Sequence, residues 1–108
     1  NYMAFTGHED NSIEFEDGAI LTKEYRTSVD KEDVKANYYS KDSIQALLNQ
    51  DGSVGIRAYF GKKTNGQLCL VIVGVDETGN DQIGAGFLCV DSGDQCPPFC
   101  STPNILNS

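Results

Sequence analysis

The chain has 108 residues, 39% of them hydrophobic and 22% charged, which suits one globular domain and excludes wholesale disorder. Sixteen acidic residues against eight basic ones leave a net charge of −8, and the only adjacent cations are Lys62 and Lys63. Such a chain lacks the clustered cations that displace counterions from nucleic acid or hold an anionic membrane surface, so neither is an expected partner.

No run approaches the roughly 18 apolar residues of a membrane span. No basic segment followed by an apolar stretch marks a signal peptide. With Met3 as the native start, the expected compartment is the cytoplasm rather than the secretory route, with the cysteines as thiols. Asn1-Tyr2 ahead of Met3 also fits the end of a processed or engineered N-terminus. For a secreted chain, its four cysteines would allow three disulfide pairings, among which sequence does not choose.

Residues 1–12 read as a flexible polar lead-in without a period. From Phe15 the positions Phe15, Ala19, Thr22, Tyr25 and Val29 recur at helical spacing and predict one amphipathic face. Ser12 and the early acidic cluster Glu9, Asp10, Glu14, Glu16 and Asp17 suit the positive end of that helix's dipole. Gly18 opposes it by up to about 1 kcal/mol relative to alanine. Ser28–Asn37 reads as a polar connection. Ser40 then makes an N-cap for a helix over Lys41–Gln50, with Ile44, Leu47 and Leu48 on one face and Asp51-Gly52 ending it.

A meander is predicted from about Val54 to Val90. Val54, Ile56, Ala58 and Phe60 alternate with Gly55, Arg57 and Tyr59, the pattern of a strand with one apolar face. Asn65-Gly66 supplies turn chemistry. Leu68–Val75 is apolar on both sides, as a central strand should be, and Asp76–Asp81 is a second turn. Ile83–Val90 is the third strand, loosened by Gly84 and Gly86.

No repeat or linker divides residues 1–108, which read as a single domain with a tail over 101–108. The expected fold is α+β: two N-terminal helices packed on a three-stranded antiparallel meander, followed by the segment Cys96-Pro-Pro-Phe-Cys100. Two helices shield one sheet face. The other needs the Cys96–Cys100 segment, the preferred cover, or a second protomer.

That segment is also the most distinctive candidate site. Its two prolines hold the chain extended and fix where the sulfurs point. Three residues separate the cysteines, one more than in thioredoxin-like redox motifs. A zinc site would need further ligands from Cys69, Cys89 or His8. Pairing 76 with 81 sets Cys69 opposite Leu88, whereas a one-residue bulge sets Cys69 opposite Cys89 and permits a four-thiolate cluster. Structural zinc, a local Cys96–Cys100 disulfide and packed thiols are the open readings, packed thiols or loop rigidity being the main one.

Other constellations are weaker. Asp76–Asp81 lacks the carboxylate spacing of a calcium loop and carries ordinary turn residues. His8 is the only histidine, too little for an oriented nucleophile–base pair. Arg57 with a nearby carboxylate, or Glu24 with Arg26, reads as an ion pair rather than a catalytic group. The glycines fall in strands and turns and form no phosphate cradle.

The run Val54-Gly-Ile-Arg-Ala-Tyr-Phe-Gly61, then Leu70–Asp76 with Gly79-Asn-Asp81, then Cys96-Pro-Pro-Phe-Cys100, resembles a family of small uncharacterised bacterial proteins. They are typical of Bacteroidetes-type bacteria and have no assigned activity. Leu21–Arg26 and Ile44–Gln50 share the likeness, so it covers most of the chain. The resemblance implies a whole-chain domain of bacterial origin. It carries no catalytic or binding residue, and Cys69 and Cys89 lie outside its motifs.

The expected function is therefore a non-enzymatic protein-interaction domain whose partner is another protein or itself, as a homodimer. An acidic inhibitor or immunity-type protein masking a basic partner is the sharper form. The alternative is a small metal-binding or redox module centred on Cys96 and Cys100, with Cys69 and Cys89 as further zinc ligands. No catalytic residue or other cofactor is expected.

Overall fold

A computed structural model describes residues 4–91 and 94–108. Its elements are α1 (Phe15–Arg26), β1 (Ala36–Asn37), α2 (Lys41–Leu48), β2 (Ser53–Lys62), β3 (Leu68–Asp76), β4 (Cys89–Val90) and β5 (Gln95–Cys96). Among the described residues these make an α+β arrangement. One antiparallel sheet runs in the order β2-β3-β4, and a two-stranded sheet pairs β1 with β5.

The second helix belongs to the core. Ser40 caps α2 by accepting a hydrogen bond from the Ser43 N–H at 3.1 Å, which satisfies one of the orphan donors at a helix start. The helix packs on β2 and β3, and its Leu47 is fully buried.

The first helix does not. Acidic Glu16 and Asp17 begin α1 and basic Lys23 and Arg26 end it, which complements its dipole. Yet it buries none of its residues, and Phe15 and Leu21 are 72% and 65% exposed. The C-terminal tail is one of its holds: Arg26 donates to the carbonyls of Leu106 and Ser108 at 3.0 and 2.9 Å. The expectation that both helices pack on the meander is thus corrected. The predicted stripe has only Ala19 and Thr22 between Phe15 and Tyr25, too little apolar area to claim a sheet face.

The centre of the fold is β3. Its pairing with β2 runs from Lys62↔Leu68 to Ser53↔Asp76, with a bulge between Ser53 and Gly55. The Asn65-Gly66 turn closes this hairpin, with Gly66 at φ +88°. Ile72 on one side and Val73 and Val75 on the other are 4%, 6% and 3% exposed.

The third strand is shorter than predicted. Only Cys89 and Val90 pair with β3, opposite Val73 and Ile72, and Val75 bridges Asp81. Gly84 and Gly86 take φ of +114° and +91°, which lifts the intervening chain off the sheet. Side chains complete that edge of β3. The Leu70 carbonyl accepts from the Tyr39 hydroxyl at 2.6 Å and the Leu68 carbonyl from Gln95 Nε2 at 3.0 Å. Gly74 accepts from the Gln82 N–H at 2.8 Å, so the edge carbonyls find donors where the strand stops.

Part of the expected flexible lead-in serves as cover. Ala4 and Phe5 donate their N–H groups to the Glu77 carbonyl at 2.8 and 3.1 Å. Phe5 lies 6.0 Å from the Arg57 guanidinium, on the face that Arg57 shares with Val73. Val73 and Val75 are therefore closed off within one chain. The Cys96–Cys100 segment, expected on that face, instead follows β5 into the two-stranded sheet.

Candidate interaction groove

The pairing of β1 with β5 builds one wall of a groove. Ala36 and Asn37 oppose Cys96 and Gln95, and the ladder extends through Lys35 N–H to the Cys96 carbonyl (2.7 Å) and Tyr38 N–H to the Asp94 carbonyl (2.8 Å). A disulfide joins Cys96 to Cys100, their Cα atoms 4.8 Å apart. The Phe99 N–H returns to the Gln95 carbonyl at 2.9 Å. This short closed loop holds the Phe99 ring 64% exposed.

The opposite wall is α1, through Leu21 and Tyr25, with Phe60 of β2 and Leu106 of the tail completing a groove of about 1140 Å³. Phe60 is 88% exposed, contrary to its expected place in a buried row. The reason is length. At 8 residues α2 spans about 12 Å, whereas the 10 residues of β2 span about 33 Å. The far end of the strand lies beyond the helix.

Among the described residues, the charged ones lining the groove are Arg26, Lys31 and Lys35, with no Asp or Glu beside them. Lys35 Nζ donates to the carbonyls of Asp30, Lys31 and Asp33 at 3.0, 2.8 and 2.8 Å. It therefore fastens the 30–35 turn that leads into β1. Tyr25 donates its hydroxyl to the Val34 carbonyl at 3.3 Å, tying α1 to the same turn.

Of the sequence candidates, Cys96 and Cys100 lie on this groove and the others fall elsewhere. Cys69 is buried in β3 opposite Gly61, and Cys89 is exposed in β4 opposite Val73. Neither proposed register occurs: Cys89 stands opposite Val73, four residues or about 13 Å along β3 from Cys69. With Cys96 and Cys100 already bonded to each other, the four-thiolate cluster is not assembled. Among the described residues no group of three or more His, Cys, Asp or Glu side chains stands close enough to hold a metal. Asp76 spends its carboxylate on the turn, accepting from Thr78 Oγ1 and the N–H groups of Thr78 and Asn80. His8 is exposed.

One polar cluster is ordered on the sheet. Arg57 Nη1 lies 2.6 Å from Asp81 Oδ1 and also donates to the Gly79 carbonyl at 3.2 Å. Tyr59 donates its hydroxyl to Asp81 Oδ2. The Tyr59 bond, and then Arg57, hold the Asp81 carboxyl below its ordinary value. The same bond raises the Tyr59 phenol.

The two shifts set opposite limits. A carboxyl depressed in the folded state stabilises above its unfolded pKa and loses that contribution as pH falls through the folded one. A raised phenol contributes below its unfolded pKa and loses it as pH rises through the folded one. The stability difference between the natural chain and Asp81→Asn should therefore be flat near neutrality and shrink at both extremes. Urea midpoints between about pH 2 and about pH 11 would show it. A constant difference across that range would dismiss the network.

The groove residues were hidden from sequence because β1 and β5 are two residues each and lie far apart in the chain. The fold and groove together define an α+β domain with an open aromatic cleft. In comparisons with known proteins, no family model, curated protein or solved structure matches the chain.

Proposed function

We propose that this chain is a non-enzymatic protein-interaction domain that receives its partner in the groove between α1 and the Cys96–Cys100 loop. The observation that carries this reading is the exposure, around one cleft, of Leu21, Tyr38, Phe60 and Phe99 at 65%, 59%, 88% and 64%. Clustered exposed aromatics of this kind mark binding surfaces rather than ordinary solvent-facing positions. The likeness of its motifs to small Bacteroidetes-type proteins supports a bacterial origin and adds no chemistry.

The sharper form, an acidic inhibitor masking a basic partner, draws support from the exposed carboxylates at Glu9, Asp10, Glu14, Glu16 and Asp17. The groove does not favour it, since its own charged lining is basic. Among the described residues no helix is long and apolar enough to cross a membrane. The Cys96–Cys100 disulfide speaks for an oxidising compartment over the expected cytoplasm.

Selection from a displayed library of random peptides tests the groove. Enriched peptides should bind the natural chain with micromolar Kd and Phe99→Ser at least about tenfold more weakly, with the melting temperature unchanged. If no selected peptide distinguishes the two proteins, the groove is not the docking site.

A further inference from the structure

Beyond Val54, against which Gly7 packs, the outer edge of β2 has no strand neighbour among the described residues. It is the first strand of the β2-β3-β4 sheet, and among the described residues no backbone group of another segment bonds to its outer side. Tyr59 and Phe60 there are 47% and 88% exposed, and Ile56 is 42% exposed. A long open edge with apolar side chains is a template for another strand.

The backbone directions along this edge follow from β3. The carbonyls of Leu68, Leu70 and Gly74 face away from β2, toward Gln95, Tyr39 and Gln82. Cys69, Val71, Val73 and Val75 therefore face β2, where they pair with Gly61, Tyr59, Arg57 and Gly55. The outward backbone groups of β2 are then those of Ile56, Ala58, Phe60 and Lys62. Any added strand must bond to these.

We propose that the added strand is β2 of a second copy, antiparallel to the first about a two-fold axis at Ala58. A two-fold pair must match outward residues with outward residues, which leaves few registers. An axis at Arg57 would set two guanidinium groups face to face. An axis at Tyr59 would take Ile56 from Phe60 and set it against Lys62, whereas an axis at Ala58 sets only Val54, at the bulged start of the strand, against Lys62. An axis at Ala58 sets Ile56 opposite Phe60 on one face and Arg57 opposite Tyr59 on the other. These are aromatic–aliphatic and cation–aromatic pairs, each occurring twice, and small Ala58 meets itself between them. The edge is thus complementary to itself, as an isologous interface requires. The two sheets become one continuous sheet. The interface is independent of the groove reading, although Phe60 borders both.

Each copy carries a net charge of −8, so association should tighten severalfold as NaCl rises from about 0.05 M to about 0.5 M. Sedimentation of the full chain should show a dimer that Ile56→Lys converts to monomer, while groove-selected peptides still bind that variant. The register has its own check, in a Cys89→Ser background that removes the exposed thiol. A short bis-maleimide should link Ala58→Cys into covalent dimers and leave Thr64→Cys unlinked, those positions lying about 40 Å apart across the axis. A monomer at every concentration and salt would overturn the proposal. So would a dimer in which Ala58→Cys links no faster than Thr64→Cys.

Discussion

Replacing Gly74 with alanine is expected to destabilise the chain by about 3 kcal/mol and lower Tm by roughly 10–20 °C. A Cβ at this position would stand 2.3 Å from Gln82 Oε1 and 2.7 Å from Gln50 Nε2. Neither amide can step aside freely. Gln82 is 5% exposed. Its Oε1 accepts from Gln50 Nε2 at 2.9 Å and its Nε2 donates to the Asp51 carbonyl at 2.9 Å. Gln50 Oε1 in turn accepts the Leu88 N–H at 2.7 Å. The network links the end of α2 to β3 and to the loop before β4, so moving either glutamine strands a polar group. The measurement is a pair of thermal and urea unfolding curves, repeated in a Gln82→Ala background. There the same glycine substitution should cost less, because the closer clash is gone and Gln50 Nε2, which loses its acceptor on Gln82, can give way. Equal costs in both backgrounds would place the strain elsewhere.

That glutamine network shows what sequence could and could not convey. The central strand was legible because Leu68–Val75 is apolar on both faces and needs cover on both sides. The cap at Ser40 was legible because a hydroxyl before a helix has a local job. Gln82 was not, since a polar residue between a turn and Gly84 looks like loop, and its burial depends on Gln50, 32 positions earlier. The lead-in misled for a related reason. Ala4 and Phe5 show no period because backbone bonds to Glu77, rather than a repeating side-chain pattern, hold them to the sheet.

The groove was less legible than the fold. Its β1–β5 wall joins segments 58 residues apart through short pairings that have no periodic signature. Phe60 obeyed the strand alternation faithfully, yet alternation predicts a face and not what covers it. Only the mismatch between a short helix and a long strand exposes that ring. The cysteines were conspicuous because their spacing is unusual. The structure uses two of them to close a loop that presents Phe99, and leaves Cys69 and Cys89 apart.

Leu47→Ala and Leu21→Ala should separate the core from the site. Leu47 is fully buried on α2, the helix packed on β2 and β3, so truncation loses transfer energy and leaves a cavity. A loss of about 3–5 kcal/mol is expected, enough to unfold a large fraction of a marginal domain at physiological temperature. Leu21 belongs to the longer helix but is 65% exposed and lines the groove. Its truncation should change stability by less than about 0.5 kcal/mol while weakening groove-selected peptides severalfold. Urea unfolding and peptide titration on the same two variants give the answer. Were α1 a core helix, Leu21→Ala would destabilise comparably to Leu47→Ala. If the helix instead presents its apolar side to a partner, stability and binding respond to different residues. The exposure of α1 then follows from its role, since a face kept free for docking cannot also be buried against the sheet.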